Sequence, residues 1–170
     1  REEGRIEQVV STAGQAVAGQ ADWPALQGPH NAQNAIAAMT AAREIGISEE
    51  AIDEGLRTYP GLPHRMERVG DRRGVLFVND SKATNPESTA PALAAYPHVH
   101  WIVGGRPKGA DLDACAPYFD HVCAAYTIGE AAHMFEELLR PHMEVRNCFQ
   151  LRKAVELAAE AAKDGETVLL

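Results

Sequence analysis

The chain has 170 residues, of which 45% are hydrophobic, so it can form one substantial core, or one domain with part of another. Its formal net charge of -8 repels phosphate backbones and anionic lipids, which argues against nucleic-acid and membrane-surface binding. No apolar run reaches the length of a membrane span, and three cysteines without a CxxC pair predict reduced, buried thiols rather than disulfides or a zinc site.

The first part of the chain, residues 1–29, is glycine-rich and weakly patterned apart from a candidate strand, QVVSTAG, and we expect it to be the end of a larger unit. A helix is predicted over GPHNAQNAIAAMTAAREIG, with Asn31 as N-cap and Gly46 as its stop. A second helix follows the cap residue Ser48 and ends at the sequence YPG. Because the chain begins without methionine and stops at GETVLL, both ends look cut.

From residue 62 onwards the pattern changes to alternating strands and helices. In chain order the predicted elements are a hairpin of MERV and GVLFVND, a helix near Thr89 to Ala95, a strand HWIVGG, a short helix near Asp111, a strand HVCAAYTIG, a helix from Glu130, a weak strand around Val145, a helix FQLRKAVELAAEAAKDG and a strand TVLL. Apolar strands separated by amphipathic helices predict an α/β fold, with a Rossmann-like, mostly parallel sheet and helices on both faces.

Ligands of such sheets bind at the carboxyl ends of the strands. Two predicted strand ends, Asn79-Asp80 and Gly104-Gly105, should therefore meet in one crevice. At the first of them, six side chains can hydrogen-bond or carry charge: Asn79, Asp80, Ser81, Lys82, Thr84 and Asn85. Helix capping explains two or three of these, but it needs no lysine, so we favour a ligand site.

Three further motifs each have an ordinary structural explanation. Lys108 in GGRPKG is either a solvated turn residue or a ligand contact, and the motif is not a phosphate loop. Asn31 and Asn34 are either a cap and an exposed amide or a pair facing a nucleotide base. Arg65 in GLPHRMERV is either a surface charge or a phosphate clamp.

Taken in this order and spacing, GPHNAQNAIAA, GLPHRMERV, NDSKATNP and GGRPKG resemble the Mur ligase family, which builds the peptide stem of bacterial cell-wall precursors. The run Ser-Lys-Ala-Thr-Asn after Asp80 resembles the members that add D-glutamate to UDP-N-acetylmuramoyl-L-alanine. The resemblance covers about Gly28 to Leu170. It implies that residues 1–61 end a central ATPase domain, and that residues 62–170 form most of a C-terminal, amino-acid-binding domain.

The resemblance also implies an ATP-dependent ligase reaction with Mg2+. The alanyl carboxylate becomes an acyl phosphate, which the amine of D-glutamate then attacks. By resemblance, the ATP-binding residues are Asn31, Asn34, Arg65 and Asp80. The phosphate loop and the magnesium ligands are expected outside this chain, so no metal ligand is predicted within it and the chain alone should be inactive.

By the same resemblance, Thr84 and Lys108 bind the α-carboxylate of the incoming amino acid, and Lys82 and Arg65 serve catalysis. The implied partners are small molecules, namely ATP, D-glutamate and UDP-N-acetylmuramoyl-L-alanine, and the whole protein is expected to be a cytoplasmic monomer. Two alternatives stay open. One is a related ligase that adds another amino acid such as L-glutamate, and the other is a non-catalytic nucleotide-binding Rossmann module.

Overall fold

The computed structural model describes residues 17–106, Gly109 and residues 111–170. The chain forms two compact units, Arg1–Pro60 and Gly61–Leu170. The predicted strand QVVSTAG lies outside the described residues. Among the helices of the described ranges, none has the length and apolar character needed to cross a bilayer.

The described part of the first unit is helical. A short 3-10 turn at Gln20–Asp22 precedes helix α1 (Gly28–Glu44) and helix α2 (Glu49–Thr58). The buried residues Trp23, Leu26 and Ala35 form its small apolar core.

Three of the four predicted ends of these helices are confirmed, and one of them is the end of α2 at Thr58, directly before Tyr59-Pro60-Gly61. Gly46 lies just beyond α1 with a φ of 82°, in the left-handed region that favours glycine. The Ser48 side chain caps α2 by accepting a hydrogen bond from the Ala51 backbone at 3.3 Å. The predicted Asn31 cap is wrong, because α1 begins one turn earlier with Gln27 as its N-cap. Pro29 explains this, since its fixed φ suits the first helical turn and its missing N–H is not needed there.

The second unit is an α/β domain with a six-stranded sheet. Its elements are β1 (Glu67–Arg72), β2 (Val75–Asn79), α3 (Pro86–Ala95), β3 (Val99–Gly104), a 3-10 helix (Asp113–His121), β4 (Val122–Ile128), α4 (Ala132–Leu139), β5 (Val145–Phe149), α5 (Leu151–Ala161) and β6 (Thr167–Leu169). The strand order is β1-β2-β6-β3-β4-β5. Only the β1–β2 hairpin is antiparallel, and the pairs β2–β6, β6–β3, β3–β4 and β4–β5 are parallel, so the predicted mostly parallel sheet is confirmed.

Apolar cores cover both faces of the sheet. On one face Trp101 of β3 belongs to a core with Leu93 of α3 and Leu139 of α4, both fully buried. On the other face the next residue of β3, Ile102, belongs to a core with Ala154 of α5. Because successive side chains of a strand point to opposite faces, helices on both faces require strands that are apolar throughout.

Two details of this domain determine the shape of the region beyond the strand ends. Helix α3 begins at Pro86, three residues earlier than predicted, because the Asn85 side chain caps it by accepting from the Ser88 N–H at 2.8 Å. Strand β6 lies between β2 and β3. The two strand ends that were predicted to meet are therefore separated by the end of a third strand.

Candidate ligand-binding cleft

A cleft of about 710 Å³ lies at the carboxyl ends of β2, β6 and β3. Its polar wall comes from the loop after β2, including Asp80 and Thr84, and from the turn after β3 at Gly104 and Gly105. Apolar lining residues include Trp101, Ile128, Phe135, Leu151, Leu169 and Leu170. The volume falls in the usual range for small-molecule sites. The predicted crevice therefore exists, with the end of β6 forming part of its lining.

Among the described residues that line the cleft, Asp80 is the most buried charged group, with 9% of its surface exposed. Its backbone N–H donates to the Leu170 carbonyl at 2.7 Å, which fixes it at the end of β6. Its Oδ1 accepts a hydrogen bond from the Met66 backbone at 3.0 Å. A carboxylate held in this way has a defined position.

Arg65 lies on a loop that is tied to the strand end beside the cleft. Its neighbours His64 and Met66 have φ angles of 63° and 47°, which are unusual for residues other than glycine. Asn79 Nδ2 donates to His64 Nδ1 at 2.8 Å, and the Lys82 N–H donates to the His64 carbonyl at 3.1 Å. These contacts hold the loop that carries the exposed Arg65 next to the loop after β2.

His64 is a residue that the sequence did not single out. It joins the Arg65 loop to the loop after β2 through its ring and its carbonyl oxygen. Its backbone N–H also donates to Glu67 Oε2 at 2.8 Å. The only signal in the sequence was its position directly before Arg65, which does not reveal contacts with residues 15 or more positions away.

The cationic side chains of Arg65 and Lys82 are both exposed, and within the described ranges neither forms an ion pair. They are therefore available for an anionic ligand. Thr84 is also exposed and lines the cleft directly. The structure thus brings Asp80 and Thr84 into the cleft and places Arg65 and Lys82 on two loops that are hydrogen-bonded to each other.

The turn after β3 packs closely against the end of β4. Gly104 has a φ of 144°, and a Cβ atom at this position would lie 2.1 Å from the Ile128 carbonyl oxygen. Gly105 donates to the same oxygen at 2.9 Å. The exposed Arg106 follows this turn and lines the cleft, a cation that sequence reasoning missed because it concentrated on Lys108. Lys108 lies outside the described residues, and its assignment stays a prediction.

Asn31 and Asn34 belong to the first unit and lie in the first turns of α1. Asn31 Nδ2 donates to the Gln27 carbonyl at 3.0 Å, and Asn34 Nδ2 lies 3.5 Å from Asn31 Oδ1. The two amides are therefore adjacent on the helix surface, as their spacing predicts. Their assignment to an adenine base stays a prediction.

Among the described residues, three carboxylates line the cleft, those of Asp80, Glu87 and Asp111. Mg2+ requires several oxygen ligands around one point. Within the described residues, the one group of three side chains close enough to share an ion lies outside the cleft and combines one carboxylate with an imidazole and a thiol. The described residues of the cleft therefore offer no group of three side chains that share one ion, and no catalytic step below is assigned to Mg2+.

Sequence comparisons agree with the geometry of the second unit. A family profile described as "Mur ligase, glutamate ligase domain" matches residues 64–170. A UDP-N-acetylmuramoylalanine--D-glutamate ligase from Novosphingobium aromaticivorans is 60% identical over 155 residues, covering 91% of this chain and 35% of that protein. The ligase of the same name from Zymomonas mobilis is 56% identical, with 89% and 34% covered. The chain spans about a third of the length of these curated relatives.

Structure comparisons extend the likeness of the fold to more distant proteins. The UDP-N-acetylmuramate-alanine ligase of Thermotoga maritima superposes with a TM-score of 0.63 at 14% identity, over 84% of this chain and 34% of that one. A bifunctional folylpolyglutamate synthase/dihydrofolate synthase from Yersinia pestis gives 0.60 at 22% identity, over 94% and 39%. At these identities the likeness concerns the fold.

Proposed function

The chain belongs to the Mur ligase family, and on that premise we propose that it is part of an ATP-dependent ligase that joins D-glutamate to UDP-N-acetylmuramoyl-L-alanine. The names of the relatives that are 60% and 56% identical support this substrate pair. The observation that carries the proposal is the cleft at the strand ends, which is lined by both Asp80 and Thr84.

We further propose that residues 1–61 end the central ATPase domain and that residues 62–170 form most of the C-terminal domain. The boundary between the two compact units after Pro60 and the start of the family match at residue 64 support this division. The whole protein is then a cytoplasmic monomer, and its phosphate loop and Mg2+ ligands lie outside the described residues.

The nucleotide is proposed to contact one side of this site. The buried Asp80 carboxylate accepts a hydrogen bond from the ATP ribose, and Arg65 reaches the phosphates. As a separate proposal for the first unit, Asn31 and Asn34 bind an adenine base. The exposed Arg65 guanidinium suits phosphate, because its planar donors match two oxygens at once.

The amino acid is proposed to bind on the other side. The Thr84 hydroxyl and the Lys108 ammonium hold the α-carboxylate of D-glutamate, which leaves its amine free to attack. Lys82 lies two residues from both Asp80 and Thr84 in the same loop, so it is suited to stabilise negative charge between the two sites. Arg65 shares this role.

The reaction proceeds in two steps. The alanyl carboxylate attacks the γ-phosphorus of ATP and forms an acyl phosphate with release of ADP. The uncharged amine of D-glutamate then attacks the acyl carbon, the amide bond forms, and phosphate leaves while the amine loses its proton. Both steps depend on positioning and on stabilisation of charge, which is what fixed loops with exposed cations provide.

The test uses the full-length ligase and varies one substrate at a time. Asp80→Asn retains an oxygen acceptor for the Met66 N–H, so the loop remains tied, but the charge is lost. We expect its main defect in kcat/KM for ATP. Thr84→Val removes one hydrogen bond to a charged group, so kcat/KM for D-glutamate should fall roughly 10- to 150-fold while KM for ATP is retained.

Arg152→Ala is the matched control, because Arg152 is exposed on α5 and lies outside the cleft lining. The control should behave as the wild type with all three substrates. If Thr84→Val leaves D-glutamate kinetics unchanged, Thr84 is not an amino-acid contact. If the full-length protein binds ATP but does not respond to either glutamate enantiomer, the proposed glutamate substrate is wrong.

A further inference from the structure

A second group of chemically reactive side chains lies at the opposite edge of the sheet from the cleft. His100 is at the start of β3, Cys123 is at the start of β4, and Glu166 directly precedes β6. Their ligand atoms all lie within 4.8 Å of one another. These strands are parallel, so their amino ends lie together, away from the carboxyl ends that form the cleft.

Two of the three side chains are held in position by neighbours. His100 Nε2 lies 2.9 Å from Glu166 Oε2, and that oxygen also accepts from the Lys163 backbone at 2.8 Å. The other ring nitrogen of His100 lies 3.0 Å from the hydroxyl of the fully buried Tyr126. An imidazole with one nitrogen fixed by a polar partner is the arrangement found in metal-ligating histidines.

The third side chain is brought to the cluster by a β-bulge. Val99 pairs with Val122 and His100 pairs with Ala124, so Cys123 is an extra residue on β4. In a regular strand Cys123 would point away from the face that carries Ala124 and His100, because side chains alternate. The bulge redirects the thiol toward His100 and Glu166.

We propose that His100, Cys123 and Glu166 form a binding site for a zinc-class divalent cation. Imidazole, thiolate and carboxylate are the three ligand types that zinc prefers, and three protein ligands leave one position for water. Cys123 is exposed, so the ion can enter and that position can face solvent. Tetrahedral zinc holds such ligands roughly 3.3 to 3.6 Å apart, so the cluster needs only small side-chain movements.

A hydrogen-bonded pair with a purely structural role would explain His100 and Glu166. It would not explain the bulge that adds a sulfur ligand beside them. The sequence predicted no zinc site, since residues 100, 123 and 166 show no ligand spacing and only the pairing of three strands brings them together. A bound ion would connect these strands and stabilise the folded state over the unfolded chain.

Cobalt is a suitable probe, because Co2+ takes the same ligands and a thiolate ligand adds a charge-transfer absorption in the near ultraviolet. The full-length protein, stripped with a chelator, is titrated with Co2+. We expect a saturable thiolate band that one equivalent of Zn2+ removes and that excess Mg2+ does not. Cobalt at a site made only of oxygen ligands gives no such band.

Cys123→Ser should abolish the band, because it removes the sulfur ligand. The fold should be retained, because an exposed thiol is replaced by a hydroxyl of similar size. Cys148→Ser is the matched control, because Cys148 is a buried thiol outside the cluster and should leave the band unchanged. Tyr126→Phe should weaken metal affinity roughly 10- to 100-fold by removing the partner of the imidazole.

Thermal unfolding gives an independent readout. Zn2+ should raise the Tm of the wild type and leave the Tm of Cys123→Ser unchanged. Circular dichroism of the metal-free variants reports whether they are folded. A missing thiolate band at excess Co2+, or a band that persists in Cys123→Ser, would show that the cluster is only a hydrogen-bonded pair beside a surface thiol.

Discussion

The polar side chains at the two ends of the parallel strands are held by different kinds of contact. We call these ends the carboxyl edge, where the cleft lies, and the amino edge, where His100, Cys123 and Glu166 lie. At the carboxyl edge, backbone groups make many of the hydrogen bonds, as when Met66 and Lys82 donate from their N–H groups, and the Arg65 and Lys82 side chains remain exposed. At the amino edge, side chains bind one another, as in the contacts of His100 with Tyr126 and Glu166. Loops that are fixed through their backbone leave side chains available for ligands, whereas a network of side chains connects the strands themselves.

The largest effect is expected from an exposed side chain of the carboxyl edge. Arg65→Ala in the full-length ligase removes a proposed phosphate contact, so turnover should fall roughly 100- to 1,000-fold, as for other donors that stabilise transition-state charge. The free energy of unfolding should be unchanged, because the side chain forms no ion pair within the described part of the chain. Arg152→Ala serves as control in both assays, and an unchanged rate at saturating ATP would make Arg65 a surface charge.

The next effect concerns the backbone of the same edge. Gly104→Ala places a methyl group 2.1 Å from the Ile128 carbonyl oxygen, so β3 and β4 must separate at the cleft. We expect a loss of about 3 kcal/mol in the free energy of unfolding measured in urea. Gly105→Ala is the control, since its φ of 94° is strained but, among the described residues other than its chain neighbours, no atom lies within 4 Å of the added carbon. Equal losses in the two variants would show that the strand contact is unimportant.

A smaller effect is expected at the amino edge. Tyr126→Phe, studied with chelator present, removes the hydroxyl that contacts His100 Nδ1 and should cost about 1 kcal/mol of folding free energy. Thr127→Val is the matched control. Its hydroxyl is equally buried but has no hydrogen-bond partner within the described ranges, so its removal should be neutral or stabilising. If Thr127→Val proves the more harmful change, the side-chain network is not what supports this edge.

The smallest effect is expected where polar side chains meet near the surface. The hydrogen bond from Asn147 lowers the pKa of Glu136, and the nearby Arg140 lowers it further. A lowered pKa contributes stability that is present at neutral pH and is lost as the pH falls through the folded-state value. Urea unfolding between pH 7 and pH 3 should therefore show a slightly weaker acid dependence in Glu136→Gln. An identical pH dependence would mean that solvent screens these contacts completely.

The sequence alone was sufficient where local rules decide the structure. Alternation of apolar strands and helices predicted the mostly parallel sheet, and the rule for strand ends predicted that Asp80 and the Gly104 turn line one cleft. It failed where distant contacts decide. No local pattern indicates that β6 lies between β2 and β3, that His64 contacts Asn79, or that a bulge turns Cys123 toward His100.

The cysteines show the same limit on a smaller scale. Cys115 and Cys148 are buried, as composition predicts, and burial raises the pKa of Cys115 to about 12, with smaller contributions from Glu87 and Asp111. The expectation of a buried thiol is wrong for Cys123, which is exposed because the bulge lies at the rim of the sheet. Burial of a strand residue depends on register, and register depends on pairing with another strand.

The position of β6 also affects how the domain folds. Of the six strands it is synthesised last, yet it pairs with β2 through Leu76 and Thr167, and with β3 through Val99 and the same threonine. Before β6 pairs with them, β2 and β3 each have one unpaired side that can bind other chains. The pairing of β2 with β6 joins residues that are far apart in the sequence, and such pairing is slow. We therefore expect the sheet to be completed after most of the helices have formed, and the incomplete sheet to be prone to aggregation.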